Sequence, residues 1–383
     1  MRILHVHSGN LYGGVESTLV DQARHTQLCA EMQLSFALCF EGRFSTELID
    51  SGASVSWLDR ARTRNPVSIR RARRALHEIL VQEPFDAIVT HSCWSQAMFG
   101  PVVRAAGLPL IFYLHGPANG RHWLELWARR TQPRMVVCNS RFTAATVTNL
   151  YPETPAEVVY CPVAPAQFGP SETNTDRIRA ELGTPKDATV IIQVSRMEAG
   201  KGHAVHLEAL SLIKNLPGWI CWQVGSPQQT SERKYLERLT KLADRAGISD
   251  RVVFVDRPAN IRELLAAADI FCQPNTRPES FGIAFVEALY AQLPVVTTNI
   301  GGAREIIDDS CGLLIQPDDP QAVAAALRVL IEDGPFRQKL GTAGPKRARD
   351  LTDVHAQMAR LRHCFLSAQN GNGKASRTGG RSA

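Results

Sequence analysis

Ile-Phe-Cys-Gln at 270–273, Pro-Asn-Thr-Arg-Pro-Glu-Ser-Phe-Gly at 274–282 and Ile-Ala-Phe-Val-Glu-Ala at 283–288 read in order as strand, loop and helix. A short apolar run closed by Pro274 and Asn275 fits a strand, and Ser280 and Gly282 are placed to start the helix that follows. The same alternation of short apolar and longer amphipathic runs extends in both directions. Around this stretch it predicts strands at 189–195, 219–224, 252–255, 295–298 and 313–315, with helices such as 204–214 and 232–246 between them. Toward the N-terminus it predicts strands at 3–7, 34–40, 55–58, 87–91, 110–115, 135–139 and 158–161, and helices at 15–31, 67–82 and 121–131. Such a β-α-β rhythm builds parallel sheets covered by helices on both faces.

The rhythm breaks once, where Pro162, Pro165, Gly169, Pro170, Ser171, Thr173 and Asn174 crowd a segment without periodicity. That composition reads as a linker, and it divides the chain into two Rossmann-like α/β domains, 1–165 and 166–350. A helix over 351–366 is expected to pack back on the first domain. The tail 367–383, rich in Gly, Ser and Asn, is expected to be disordered. In open α/β sheets ligands bind at the carboxyl ends of the strands, so the loops there carry the candidate chemistry. Two such domains facing each other would make a cleft fed by loops from both.

A length of 383 residues excludes a single small module, and 44% hydrophobic with 21% charged residues is ordinary globular composition. The formal net charge of +6 favours anionic partners without requiring nucleic acid. Nine cysteines, scattered and never spaced C-x-x-C, suit buried reduced thiols better than disulfides or a zinc site. The first residues run directly into a glycine-bearing turn, which leaves no signal-peptide core, and no apolar run reaches the ~18 residues of a membrane span. The expectation is a cytoplasmic protein, at most peripheral on the inner leaflet of the membrane.

The first strand is followed by Ser8-Gly9-Asn10-Leu11-Tyr12-Gly13-Gly14-Val15-Glu16. Gly13 and Gly14 open a helix and would let backbone N–H groups approach an anion; a plain tight turn reads equally well. G-x-G-x-x-G is absent, which counts against an NAD enzyme. Ser195 through Gly202 fails as a P-loop, because Ser195 replaces the first glycine and Gly202 follows Lys201. What remains is Arg196 and Lys201 on one loop, two cations able to clamp a diphosphate or simply to face solvent. Glu279 lies before the helix and Glu287 on its second turn, and the N–H groups of Phe281, Gly282 and Ile283 would point from the helix start toward a ligand. Gly301-Gly302-Ala303-Arg304-Glu305 repeats the strand-to-helix glycine turn, and D-x-D, the usual metal-holding motif, is absent.

The ordered set of Gly13-Gly14, His115, Arg196, Lys201-Gly202, Glu279 through Glu287 and Gly301-Gly302 resembles the retaining glycosyltransferase family 4, of GT-B fold, over nearly the whole chain to about residue 366. The resemblance implies an α/β GT-B architecture whose second domain holds a nucleotide-sugar, UDP- or GDP-linked, and whose first holds the acceptor, with no other cofactor. Arg196 and Lys201 would bind the diphosphate, Glu279 the transferred sugar and Glu287 the ribose. Phe281, Gly282 and Ile283 would orient sugar and phosphate, Gly13 and Gly14 would close over the diphosphate, and His115 would line the sugar pocket. Without D-x-D, the two cations would replace a metal. Two departures stand out: Cys161-Pro162-Val163-Ala164-Pro165 replaces an Asn-Gly-Val-Asp-like turn, and no glycine lies near Asp256, where Arg257 is a candidate contact to the base.

The acceptor expected from the resemblance is a glycan or lipid-linked molecule in cell-envelope or exopolysaccharide synthesis. Arg60, Arg62, Arg64, Arg70, Arg71, Arg73 and Arg74, without an acidic residue among them, would line the flanks and outer face of an amphipathic helix and offer a surface to anionic lipid. A nucleotide-sugar epimerase of similar fold, a phosphorylase and a non-catalytic nucleotide-sugar-binding protein are the alternatives. The epimerase needs acid/base groups ringed about the sugar, and a phosphorylase needs a pyridoxal phosphate lysine, for which no signal is found. Turnover of the donor separates the binding protein from an enzyme.

Overall fold

The computed structural model describes residues 1–10, 12–165, 172–256 and 260–370. The chain divides into two compact units: Met1–Pro162 together with Val354–Ala383, and Val163–Asp353. The first unit holds a seven-stranded sheet of β1 (Arg2–His7), β2 (Gln33–Leu38), β3 (Ser54–Trp57), β4 (Ala87–His91), β5 (Leu110–Leu114), β6 (Met135–Cys138) and β7 (Ala156–Val158). Every ladder is parallel, and the order is β3-β2-β1-β4-β5-β6-β7. Its central strands are buried along their length, which is why they read as apolar runs without alternation.

The second unit repeats the plan with β8 (Thr189–Val194), β9 (Trp219–Val224), β10 (Val252–Val255), β11 (Ile270–Gln273), β12 (Val295–Thr298) and β13 (Gly312–Ile315), again all parallel, in the order β10-β9-β8-β11-β12-β13. Each sheet winds outward from a central pair, β1/β4 in one and β8/β11 in the other. Connections leave that pair toward opposite edges, so a crevice opens beyond its carboxyl ends.

Several expectations need correction. The strand expected at 158–161 is β7, which starts two residues earlier and ends three earlier, at the sheet edge, while Val159, Tyr160 and Cys161 are buried without continuing its ladder. Asn174 and Thr173 belong to the helix Glu172–Glu181 and not to a linker; residues 166–171 lie outside the described residues. The last helix, Val354–Gln369, runs into the supposed tail. It belongs to the first unit, burying Met358, Leu361 and Phe365 near β4, β5 and β6. Its end is tied down by Arg134, whose guanidinium donates to the carbonyls of Ala368 (3.1 Å) and Gln369 (3.3 Å). Residues 371–383 lie outside the described residues.

The basic helix is also different from its sequence reading. It spans Pro66–Gln82, capped by Asn65 with Pro66 at its first position, so Arg60, Arg62 and Arg64 precede it. Arg73 turns inward: its guanidinium donates to the carbonyls of Met98 (2.6 Å) and Ala97 (3.2 Å). The cause is Pro101 inside the helix Ser92–Ala105, which has no N–H to give the Ala97 carbonyl one turn back. Arg73 supplies the missing donor. All nine cysteines are unpaired; seven are buried and Cys29 and Cys93 half-buried.

Candidate active site

In the second unit the site grows from the central strand pair. Past β8 come Ser195 and Arg196, a single 3₁₀ turn Ala199–Lys201, and Gly202, whose φ of 74° starts the helix His203–Leu212. The turn is held from below. Gln193 of β8 donates its amide to the Lys201 carbonyl (2.8 Å), and His203 joins Ser195 Oγ (3.0 Å) to Gln223 of β9 (2.7 Å). It is held from the side by the loop after β11, where Thr276 and Arg277 N–H groups donate to the Gly200 carbonyl (3.1 and 3.3 Å). Burial lowers the His203 imidazole below its ordinary range.

This framework brings two sequence-predicted residues together: the Lys201 ammonium forms an ion pair with the Glu279 carboxylate. The side chains are 23% and 19% exposed, so the pair is partly withdrawn from water yet open to a ligand. Arg196 instead pairs with Glu198 (2.9 Å), at about 40% exposure on both sides. The Gly301-Gly302 turn explains where Glu279 sits. Gly302 N–H donates to the Glu279 carbonyl (2.7 Å), and a Cβ at Gly301, φ 65°, would lie 2.4 Å from that same oxygen. Only glycine lets the two loops touch.

Beyond Glu279 the helix Ile283–Tyr290 starts at Gly282, φ 111°. Among the described residues the backbone N–H groups of Gly282 and Ile283 have no partner, and with the positive end of the helix dipole they are groups suited to an anion. Glu287 is half-buried on that helix, and Phe281 contributes a core ring. Arg257, the candidate base contact, lies outside the described residues.

In the first unit Gly13 caps the helix Gly14–Arg24 in extended backbone. Glu16 accepts from the Gly13 N–H (2.9 Å), and its other oxygen lies 3.4 Å from His7 Nε2, while His7 Nδ1 accepts from the Gly9 N–H (3.0 Å). Thus the glycine turn is fixed by a carboxylate and an imidazole that burial holds neutral, with a pKa of about 4. His115 follows β5 directly and hydrogen-bonds His91 at the end of β4 (2.8 Å).

Sequence reasoning missed His7, His91, Gln193, His203 and Gln223. One signal was available: β8, β9 and β11 each end in an apolar run broken by a single glutamine, at 193, 223 and 273, all buried. A lone polar residue at the carboxyl end of a two-sided strand has to find a partner, and here the partners are site loops.

With this geometry established, the comparisons are specific. The family model for Glycosyltransferase Family 4 matches residues 12–167, and that for Glycosyl transferases group 1 matches residues 174–347. The chain belongs to the family-4 type of glycosyltransferases with GT-B fold. Among curated relatives, the D-inositol 3-phosphate glycosyltransferase of Nocardioides sp. is 29% identical over 71% of this chain and 65% of its own length. That of Corynebacterium glutamicum is 28% identical over 52% and 49%, so the chain spans between about half and two thirds of the length of these relatives. The lipopolysaccharide core biosynthesis glycosyltransferase LpsE of Rhizobium meliloti is 29% identical over 49% and 55%. Among solved structures, Anabaena HepE in complex with UDP and glucose matches with a TM-score of 0.84 at 23% identity, over 96% of this chain and all of that one. At this identity the likeness establishes the fold.

Proposed function

We propose that the protein moves a sugar from a nucleoside-diphosphate-sugar, UDP- or GDP-linked, to a glycan or lipid-linked acceptor of the cell envelope or an exopolysaccharide, with retained anomeric configuration and without a metal ion. The observation that carries the reading is the Lys201–Glu279 pair beyond the carboxyl ends of β8 and β11, beside the unpartnered N–H groups of Gly282 and Ile283. Breaking the sugar–phosphate bond builds negative charge on the departing phosphate. Fixed donors and cations aimed at that charge lower the barrier, and Lys201, Arg196 and the helix start are such groups. Glu279 is the acceptor for the sugar hydroxyls, and Glu287 that for the ribose. Gly13, Gly14 and His115 are the first unit's contacts to donor diphosphate and sugar. The absence of D-x-D in the sequence supports the cations as the replacement for a metal.

The test is Glu279→Gln. Turnover should fall roughly 10²–10³-fold, a few kcal/mol, while nucleoside diphosphate affinity stays within a few-fold. Lys201→Ala should weaken both, and EDTA should leave the wild type active. Turnover of Glu279→Gln at the wild-type rate, or loss with EDTA that Mn²⁺ restores, overturns the respective part.

No helix among the described residues is long and apolar enough to cross a membrane. The structure still supports a surface contact: Arg60, Arg62, Arg64, Arg70, Arg71 and Arg74 are exposed, and Val67 on the same helix is 65% exposed. Each cation near an anionic surface contributes about 1 kcal/mol. Sedimentation with anionic liposomes should exceed that with neutral ones and fade when Arg70, Arg71 and Arg74 become Gln; equal recovery with both lipids would leave a soluble acceptor as the better account. Arg73 is best kept, because its guanidinium completes the neighbouring helix.

A further inference from the structure

Three imidazoles in the first unit form one chain. His5 Nδ1 lies 2.9 Å from His91 Nε2, and His91 Nδ1 lies 2.8 Å from His115 Nε2. His5 and His91 are fully buried, and the rings stack along the chain at 15° and 19°. Burial pushes His5 and His115 down to about 3 and His91 well below its ordinary range, so all three are neutral at physiological pH. A neutral imidazole has one N–H and one lone pair. His91 uses both nitrogens, so the chain has a direction: all three protons sit on Nδ1, or all three on Nε2.

The ends of the chain choose between the two. His5 Nε2 is sealed and has no hydrogen-bond partner, among Phe36 and Phe365 rings that offer no acceptor oxygen. His115 Nδ1 has no partner among the described residues, and it is not one of the sealed atoms. Protons on Nε2 would strand an N–H in the apolar pocket and leave a bare lone pair at the open end. Protons on Nδ1 strand only a lone pair and put the N–H where a ligand oxygen or water can accept it. A stranded donor is the rarer arrangement in native interiors.

We propose that His5 and His91 are positioning residues that lock His115 in its Nδ1–H tautomer, so that it presents a hydrogen-bond donor, and not an acceptor, to an oxygen of the donor substrate. The proposal rests on the place given to His115 in the proposed function, and it adds the two residues behind it. Neither touches substrate. Each acts through the next ring, much as a second partner fixes the tautomer of a metal-binding or catalytic histidine.

Two-bond ¹H–¹⁵N correlation of the ring nitrogens, on the full chain with labelled histidine, reads the tautomer directly. In the wild type the His115 proton should sit on Nδ1; a proton on Nε2 overturns the proposal without any variant. His91→Leu removes the donor to His115 Nε2, so His115 should relax toward the Nε2–H form, while His91→Asn, whose amide nitrogen stands near the position of Nδ1, should retain the lock. His5→Phe should shift His115 from two rings away. Unchanged His115 signals in folded His91→Leu and His5→Phe overturn the relay. Transfer kinetics then separate the two layers: kcat should fall about tenfold or more in His91→Leu, with nucleoside diphosphate affinity unchanged, and recover in His91→Asn. A tautomer that shifts while kcat holds leaves the lock standing and removes His115 from the proposed reaction.

Discussion

At pH 5.5 the protein should unfold at a much lower urea concentration than at pH 7.5. His5 and His206 are pushed down to about 3 by burial, His7 to about 4, and His91 well below its ordinary range. In the unfolded chain each titrates near 6.5. Between those values the unfolded state binds protons that the folded state refuses, so stability rises with pH through this window. It is fully present above about 6.5 and is lost as pH falls below it. One pH unit below 6.5, each sealed ring costs on the order of 1.4 kcal/mol. His5 and His91 are wholly buried in the first unit and together withdraw roughly 3 kcal/mol from it, while His206, wholly buried in the second, withdraws about 1.4 kcal/mol there, against the 5–15 kcal/mol that holds a typical domain. The check is a pair of urea titrations with proton uptake measured on unfolding. Equal midpoints at the two pH values would mean that these rings are not held neutral in the folded protein.

Gly202→Ala is the single substitution expected to do most damage in the second unit. Gly202 has φ 74° and ψ 16°, and a Cβ there would stand 1.8 Å from the Pro274 carbonyl oxygen and 2.5 Å from its carbon. Both are backbone atoms of the loop after β11, so no side chain can swing away. Relief requires the two loops to part, which breaks the hydrogen bonds from Thr276 and Arg277 to Gly200 and separates Lys201 from Glu279. Strain of this kind, added to the left-handed backbone, costs upward of about 3 kcal/mol. Thermal unfolding should drop by several degrees, and nucleoside diphosphate should no longer raise it. Gly183→Ala is the control, because φ is 62° there too but nothing lies within 4 Å of its Cβ. Equal losses in the two variants would assign the effect to backbone conformation alone.

What the sequence makes legible follows the physics of burial. The central strands are buried on both faces, so Leu110–Leu114 appears as an unbroken apolar run and Ala87–His91 as one that turns polar only at Thr90 and His91, both close to their true bounds. β7 is an edge strand with Ala156 and Glu157 exposed, so the buried residues just after it mimic a strand and draw the reading two to three positions late. The end of the last helix was hidden by composition, since Ser367, Ala368 and Gln369 look like the tail that follows; Arg134, over two hundred residues away, holds them. The pairing of Lys201 with Glu279 joins two residues that glycine turns beside charge single out. The histidine chain was not legible, because His5, His91 and His115 become neighbours only through the strand order β1-β4-β5, and pairing order is a property of the folded sheet.

The return of the helix Val354–Gln369 to the first unit sets the order in which the chain can be made. The second unit is one continuous segment, Val163–Asp353, and is complete as soon as that segment has left the ribosome. The seven strands of the first unit are made before the second unit, but the helix that buries Met358, Leu361 and Phe365 follows only after Asp353. While the second unit is being made, then, the earlier sheet waits with part of an apolar face uncovered. A chain released at residue 353 would carry a finished second unit and a first unit with its hydrophobic face still open, a natural substrate for chaperones and proteases.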